Sequence, residues 1–173
     1  MARLERLRAQ HAPAVLAFEQ ANRAYFAAFI SDRGDEFFEH FHEQHNALLA
    51  EQDAGRCACY VLVAEDGSVE GRFNLYDIHH GTAVLGYRIA QHVAGRGVAT
   101  AAVGELCLLA ATRYGLRTLR AATSRENAAS QRVLVKSGFR PAGPAYVGGK
   151  PGTWYERDLA GPKRSTVQSL TGR

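Results

Sequence analysis

The sequence predicts an α/β fold of the α+β kind, in which helices flank a mixed, mostly antiparallel central sheet. Strand-like and helix-like segments follow one another in the order β, α, α, β, β, β, α, β, α, β, β. The dipeptide Asp66-Gly67, between two runs rich in β-forming residues, is typical of an antiparallel hairpin. Between Val84 and Thr100 an apolar, β-branched run gives way to a glycine-rich turn and then to a helical pattern. We therefore expect mostly antiparallel strands, with one helix leaving the middle of the sheet through a glycine turn.

Length and composition are typical of a single globular domain. The chain has 173 residues, of which 46% are hydrophobic and 22% are charged, so it is long enough to bury a core without disulfides or metals. We expect residues 1–160 to form this domain. Residues 161–173 are polar, basic and nearly free of apolar side chains, which predicts a disordered tail.

The charge distribution and the hydrophobic runs limit the partners and the location. The formal net charge is +4, but three of the 21 basic residues lie in the tail and the others alternate with acids, so we expect no direct nucleic-acid binding. No apolar run approaches the roughly 20 residues that a membrane span needs, and the first residues lack the apolar region of a signal peptide. These patterns predict a cytoplasmic protein that does not bind membranes.

The first third of the chain predicts a short strand and two amphipathic helices. Leu4–Leu7 is the strand, and Ala12–Phe29 carries apolar residues at helical spacing. A second helix is expected over Phe37–Glu51, with His42 and His45 on its solvated face. The residues expected on the buried face of this helix are Phe38, Phe41, Leu48 and Leu49.

Three strands of a β-meander follow. They are expected at Ala58–Glu65, Val69–Asp77 and Thr82–Ala90, and the last pair is joined by a turn at residues 79–81. The cysteines Cys57, Cys59 and Cys107 form no CxxC pair. We expect reduced, semi-buried thiols and no metal site.

The second half alternates helix and strand before a final antiparallel pair. A helix over Val98–Tyr114 is expected to end at Gly115, and a strand follows at Thr118–Ser124. Asn127 begins the next helix, which Gly138 ends. The last strands are expected around Tyr146-Val147 and at Trp154–Leu159, on either side of a loose loop at residues 148–152.

The glycine turn after the third meander strand predicts an anion site. Gly95, Gly97 and the small Ala99 let the backbone turn tightly and approach a ligand. The first amides of the following helix have no partner within the helix and favour a bound anion. No GKS or GKT follows, which excludes a P-loop. A dinucleotide fold would need this turn after the first strand of a parallel βαβ unit.

With these elements, residues 3–159 resemble the GNAT superfamily of acyl-CoA-dependent N-acetyltransferases. The superfamily motif Gln/Arg-x-x-Gly-x-Gly/Ala can be laid on Ala94–Ala99, where Gly97 and Ala99 fit and Ala94 departs from the usual Gln or Arg. A second block, Asn127-x-x-Ser130 followed by Val133-Leu134-x-Lys136-x-Gly138-Phe139, is similar to the ribosomal-protein N-terminal acetyltransferases of the RimJ/RimL type.

The resemblance implies that coenzyme A lies where the central strand splays from its neighbour. Ile89 would bind the pantetheine arm through its main chain, and Asn127 would bind it from the next helix. The pyrophosphate would be held at residues 95–100, which are Gly95, Arg96, Gly97, Val98, Ala99 and Thr100. Arg96 could add charge there. The Asn127 side chain could equally cap its helix, and the two roles are compatible.

Two catalytic residues that are usual in this superfamily are missing. The region that often holds a glutamate, Thr82–Leu85, has no acid, and Leu134 stands where a tyrosine often protonates the departing thiolate. The RimJ/RimL-like pattern offers Ser130 as the acid instead. Candidates for the base are Glu156, His79, His80 or a water.

The acceptor is expected to be a primary amine. Tyr25, Tyr87 and Tyr146 are candidates for lining its pocket, and the two N-terminal helices and residues 148–152 would shape it. An α-amine at a protein N-terminus is our first choice, and a small amine, an amino acid or an aminoglycoside remains open. So does a non-catalytic acyl-CoA-binding sensor. A homodimer is compatible with the sequence, although no apolar stripe identifies an interface.

Overall fold

The computed structural model describes residues 1–159, and the tail expected at 161–173 lies outside the described residues. It contains one seven-stranded sheet in the order β1-β2-β3-β4-β5-β7-β6. The strands are β1 (Arg3–Arg6), β2 (Ala58–Val63), β3 (Val69–His79), β4 (Thr82–Ile89), β5 (Thr118–Ser124), β6 (Arg140–Val147) and β7 (Lys150–Asp158). The α-helices are α1 (Ala12–Ala21), α2 (Arg23–Ala27), α3 (Asp35–Glu39), α4 (Phe41–Asp53), α5 (Val98–Thr112) and α6 (Ala128–Lys136).

The sheet is mixed and mostly antiparallel, which confirms the predicted fold class. Five of the six neighbouring pairs are antiparallel, and β4 and β5 form the parallel pair. The crossover between these two strands is α5, as a parallel connection requires. No helix within residues 1–159 is long and apolar enough to cross a membrane.

The parallel pair separates after three residues on each strand. The last pairing is Val84 with Arg120, yet β4 continues along β3 to Ile89 and β5 continues along β7 to Ser124. Beyond Val84 the β5-facing edge of β4 therefore has no strand partner. This is the splayed central pair that the resemblance implied, and it opens the middle of the sheet.

Alternation along the strands divides the core between the two faces of the sheet. Phe73 and Leu75 of β3 pack with Leu106 of α5 and Leu119 of β5 on one side, called here the α5 face. On the other side, the α1 face, a second cluster contains Val15, Phe18, Phe41, Cys59 and Val61. Each large apolar side chain buried in these clusters contributes about 1.5–3 kcal/mol.

The prediction of one helix over Ala12–Phe29 is wrong because the helix breaks at Asn22. The Asn22 backbone has φ −106° and ψ 8°. Its side-chain Nδ2 donates to Phe18 O at 2.9 Å, and its Oδ1 accepts from Gln91 N at 2.9 Å. The break thus ties α1 and α2 to the connection that follows β4.

The prediction of one helix over Phe37–Glu51 is also wrong, because the chain breaks at His40, with φ −108° and ψ 24°. His45 was expected on the solvated face, but its side chain is buried and its Nε2 lies 3.1 Å from Arg8 O. Burial lowers the pKa of His45. His45 therefore packs as a core residue, and His42 is exposed as expected.

The loose loop expected at residues 148–152 is instead the tight end of a hairpin. Strands β6 and β7 run to Val147 and from Lys150, and Gly148 and Gly149 both have positive φ, as a two-residue hairpin turn needs. The prediction missed most of β6 because it contains Pro141 and Pro144. Proline is tolerated there since β6 is an edge strand.

The three cysteines are free and buried, in agreement with the sequence. Cys57 and Cys59 lie with their Sγ atoms 3.8 Å apart. Burial raises the pKa of the Cys57 thiol and of the Cys107 thiol. These thiols are therefore protonated near neutral pH and are packing groups rather than nucleophiles.

Gly152 allows β5 and β7 to approach closely, and it offers a stability test. A Cβ at this position would lie 2.4 Å from the Thr123 carbonyl oxygen. We expect Gly152→Ala to lower the free energy of unfolding by about 1–3 kcal/mol, because the two strands must move apart. The matched control is Gly104→Ala inside α5, where a Cβ meets nothing within 4 Å. Gly104→Ala should raise the free energy of unfolding by up to about 1 kcal/mol, because alanine favours a helix more than glycine does. Urea unfolding of both variants measures the difference, and equal changes would contradict the close approach.

Candidate active site

The N-terminus of α5 lies at the open end of the splayed pair. Gly97 is the N-cap residue, with φ 77° and ψ 3° in the left-handed region. The first hydrogen bond of the helix runs from Ala101 N to Gly97 O at 3.1 Å. The amides of Val98, Ala99 and Thr100 therefore have no acceptor within the helix. Together with the helix dipole they form an anion-binding site.

A cavity of about 370 Å³ begins at these amides and extends along the end of β4, where that strand has separated from β5. The end of β4 forms one wall, and α6 forms the opposite one. Aromatic and aliphatic side chains from α2 and the residues after it close the cavity on the α1 face. The residues of this third wall are Tyr25, Phe26, Phe29 and Ile30. The cavity is thus a channel between the two sides of the sheet.

The beginning of α6 places a hydroxyl group in this cavity. Asn127 is the N-cap residue, and its Oδ1 accepts from the Ser130 amide at 3.1 Å. The Ser130 Oγ accepts a hydrogen bond of 3.2 Å from the Tyr87 hydroxyl of β4. Burial raises the pKa of Tyr87, so its hydroxyl stays protonated well above neutral pH. Tyr87 can therefore donate to Ser130, which leaves the Ser130 proton available to another acceptor.

The structure brings most of the sequence-predicted site residues together. Those that line the cavity are Tyr25, Tyr87, Ile89, Gly95, Gly97, Val98, Ala99, Thr100, Asn127 and Ser130. Arg96 is exposed within the same glycine turn but is absent from the cavity wall. The cap role of Asn127 is present in the structure, and its carboxamide nitrogen has no hydrogen-bond partner among residues 1–159.

Four of the predicted residues lie away from the cavity. Tyr146 is 81% exposed on the edge strand β6. Glu156 is exposed on β7, where its Oε2 lies 3.9 Å from Arg120 Nε. The rings of His79 and His80 contact each other at a tilt of 58° at the turn between β3 and β4, at the end of β4 remote from Ile89. None of the three side chains suggested as a base lines the cavity.

The charges on the cavity wall are positive. Arg88, Arg132 and Lys136 line it, and no carboxylate or imidazole does so among the residues the structure describes. No group of three or more His, Cys, Asp or Glu side chains within residues 1–159 could hold a metal ion. The cavity therefore suits an anionic ligand.

Sequence reasoning missed a buried charge cluster on the α1 face. Glu19 of α1 is 1% exposed and contacts three guanidinium groups. Its carboxylate lies 2.9 Å from Arg72 Nη1, 3.2 Å from Arg88 Nη1 and 3.3 Å from Arg33 Nε. Glu19 lies four residues after the buried Val15, so the helical period could have placed it on the buried face.

Comparisons with known proteins agree with this geometry. A model of the acetyltransferase (GNAT) domain matches residues 2–140. The probable N-acetyltransferase YjcK of Bacillus subtilis is 26% identical over 151 residues, which are 83% of each chain. The ribosomal-protein-S5-alanine acetyltransferase of Vibrio fischeri superposes with a TM-score of 0.85 at 19% identity, over 91% of this chain and 93% of that one.

A second solved structure contains ligands in the same fold. The spermidine N-acetyltransferase of Vibrio cholerae, in complex with CoA and spermine, superposes with a TM-score of 0.77 at 16% identity. The match covers 92% of this chain and 96% of that one. At these identities the two solved structures show the fold, which confirms the predicted likeness to ribosomal-protein acetyltransferases at the level of architecture.

Proposed function

This chain belongs to the acetyltransferase (GNAT) family, and we propose that it transfers an acetyl group from acetyl-CoA to a primary amine. The observation that carries the proposal is the set of free amides at Val98, Ala99 and Thr100, placed at the mouth of a splayed strand pair. A generic anion site would need only the amides. The opening beside them also offers an unpaired strand edge to an extended, amide-containing chain such as pantetheine.

The residues present fit coenzyme A along the whole channel. The α5 amides would hold the pyrophosphate, and Arg132 and Lys136 would add positive charge from the wall that α6 forms. The free edge of β4 beyond Val84, which ends at Ile89, supplies main-chain groups for the pantetheine arm. Asn127 faces this edge from α6. When bound, acetyl-CoA supplies an activated acyl group as a thioester.

Ser130 is the proton donor that we propose. The neutral amine attacks the carbonyl carbon, the new C–N bond forms, and the C–S bond breaks with its electron pair on sulfur. Ser130 gives its hydroxyl proton to that sulfur, and Tyr87 stabilises the Ser130 oxygen by donating to it at 3.2 Å. The proton that leaves the amine passes to water, which restores the Ser130 hydroxyl through solvent.

We expect Ser130→Ala to lower kcat about 100-fold while the Kd for acetyl-CoA stays the same, because general acid catalysis typically contributes that much or more. Tyr87→Phe should lower kcat by a smaller factor. The double variant should lower kcat little more than Ser130→Ala alone, because Tyr87 acts through Ser130. Thiol release at saturating substrates gives kcat, and calorimetry gives the Kd. Ser137→Ala, at the opposite end of α6 and outside the cavity, is the control. An unchanged kcat for Ser130→Ala would remove Ser130 from the proposal.

The acceptor that we propose first is the α-amine of a protein N-terminus. The solved structure of highest TM-score quoted above is named for the acetylation of an alanine in a ribosomal protein, and the RimJ/RimL-like block of α6 is present in this chain. A small amine is the second choice, since another neighbour is named for spermidine and contains spermine. Both acceptors would enter past the α2 wall of the cavity.

One observation favours a non-catalytic sensor of acyl-CoA as a second candidate. The cavity wall holds no carboxylate or imidazole among the described residues, so nothing on it can take a proton from a protonated amine. The two functions differ in turnover. We expect thiol release from acetyl-CoA that depends on an added amine, tested with peptides, amino acids, polyamines and aminoglycosides. Tight binding without turnover across that panel would favour the sensor.

A further inference from the structure

A second cavity adjoins the first on the α1 face of the sheet. Its volume is about 470 Å³, and it is lined by the last residue of α2, by residues 29–32 and by the β6–β7 turn. Phe29, Ile30 and Arg88 belong to both cavities. A molecule in the second cavity would therefore reach the channel beside Arg88. These segments overlap two of the regions that the sequence predicted to shape the acceptor site, the end of the first helix and residues 148–152.

Arg88 is held in place from two sides. Its Nη1 donates to Glu19 at 3.2 Å, and its guanidinium carbon lies 4.8 Å from the centre of the Phe26 ring. The side chain is 17% exposed. A guanidinium has five N–H donors. Among residues 1–159, the Arg88 side chain makes one hydrogen bond, which is the bond to Glu19. Arg88 is thus a fixed cation with donors to spare at the junction of the two cavities.

The cluster around Arg88 has more positive than negative charge. Arg72 and Arg88 are direct cross-strand partners in the register of β3 and β4, where like charges repel. Glu19 is the carboxylate that the structure places against them, and it is shared with Arg33. One negative charge therefore faces three positive ones. Burial, and after it Arg33, lowers the pKa of Arg88 to about 10, which is the effect expected for a buried cation beside a second cation.

We propose that the acceptor amine carries a carboxylate and that Arg88 binds this carboxylate in the second cavity. A carboxylate beside Arg88 would supply the missing negative charge and accept two parallel N–H bonds. The inference rests on the proposed function, since it names the class of amine that reaches the same channel. The carboxylate can come from a free amino acid or from an acidic side chain close to a peptide N-terminus.

The same charges disfavour a polyamine. A polycation needs carboxylates along its path. Among the described residues, the first cavity has no acidic residue in its wall, and the second has Asp32 alone. Its two carboxylate oxygens already accept from Arg23 Nε at 3.0 Å and Nη2 at 2.7 Å. Lys150 adds a further cation to the second cavity. Its Nζ donates at 3.0 Å to Oε2 of Glu126, which lies outside the cavity wall. A polyamine would meet a positive, desolvated Arg88 with no free counterion.

The test compares matched acceptors that differ in one carboxylate. The pairs are an amino acid with its amide, and a peptide with aspartate at its second position with the asparagine analogue; spermidine is added as a polycation. We expect kcat/KM to be at least about tenfold higher for one carboxylate member than for its neutral partner. The pair that shows the preference identifies the source of the carboxylate.

Variants then assign the preference to Arg88. In Arg88→Gln the ratio of kcat/KM between the carboxylate acceptor and its neutral partner should fall to about one. Arg88→Lys should keep part of the preference because the charge remains. Arg56→Gln, which removes an exposed cation outside both cavities, should keep it fully. Binding of CoA serves as the folding check. If Arg88→Gln does not fold, the acceptor pairs on the unmodified protein still decide the question.

Two results would overturn the inference, and they are distinguishable. Acetylation of neutral amines or spermidine as fast as their carboxylate counterparts would overturn the inference alone and leave the proposed function standing. A full preference retained in folded Arg88→Gln would do the same. Absence of acetylation of every amine would overturn the proposed function, and the inference with it.

Discussion

Gly97→Asp is expected to raise the Kd for acetyl-CoA about 100-fold. The backbone at this position has φ 77°, which costs a residue with a Cβ roughly 1–2 kcal/mol. The introduced carboxylate would also accept from the free amides of Ala99 or Thr100 and compete with the pyrophosphate for them. The strain lowers stability with or without CoA, whereas the loss of these amides and the repulsion between the carboxylate and the pyrophosphate weaken binding by about 3 kcal/mol, or a factor of about 100. Calorimetric titration with CoA measures the change directly.

Gly115→Asp is the matched control for this variant. Gly115 follows the other end of α5, also has positive φ, at 62°, and a Cβ there would meet nothing within 4 Å. The substitution should lower stability by a similar strain but leave the Kd for CoA unchanged, since Gly115 lies outside the cavity. If the two variants weakened CoA binding equally, the amides of α5 would not be the anion site.

Glu19→Gln is expected to lower the free energy of unfolding by about 3–5 kcal/mol. The substitution leaves Arg33, Arg72 and Arg88 facing one another with no carboxylate among them. Removal of one partner from a buried ion pair typically costs this much, because the remaining charge is neither hydrated nor paired. Arg72 is 7% exposed, so water cannot replace the lost contact. Urea unfolding followed by circular dichroism measures the loss.

Glu51→Gln provides the comparison for an exposed ion pair. Glu51 also binds a guanidinium with two short contacts, of 2.6 and 2.7 Å to Arg56, but both side chains are about half exposed. Surface pairs of this kind contribute about 1 kcal/mol or less. A loss for Glu19→Gln no larger than for Glu51→Gln would show that the cluster is not held by its carboxylate.

Most of the fold could be predicted because its signals are local. Hairpin dipeptides, strand alternation and the glycine turn each depend on residues close in sequence, and the order of elements follows from them. The breaks at Asn22 and His40 could not be predicted in this way. Asn22 leaves the helix because its side chain bonds to Gln91, 69 residues away. The edge strand β6 was missed because Pro141 and Pro144 are breakers in any strand except one at an edge.

For the candidate site too, the parts that depend on neighbouring residues could be predicted, and the parts that depend on distant residues could not. The anion cradle could be predicted because backbone amides form it, and they depend little on side-chain identity. Glu156 and Tyr146 do not reach the cavity because β7 and β6 lie beyond β5, on the far side of the opening. The cluster of Glu19, Arg72 and Arg88 was invisible in the sequence, since 53 residues separate Glu19 from Arg72 and 69 separate it from Arg88.

A crystal structure of the protein with acetyl-CoA bound would test the central claim most directly. We predict that the pyrophosphate oxygens accept hydrogen bonds from the amides of Val98, Ala99 and Thr100, and that the thioester sulfur lies within about 3.5 Å of Ser130 Oγ. The carbonyl carbon should then face the α1 side of the sheet, toward Arg88. A pyrophosphate bound away from α5, or a sulfur closer to another donor than to Ser130, would contradict the account.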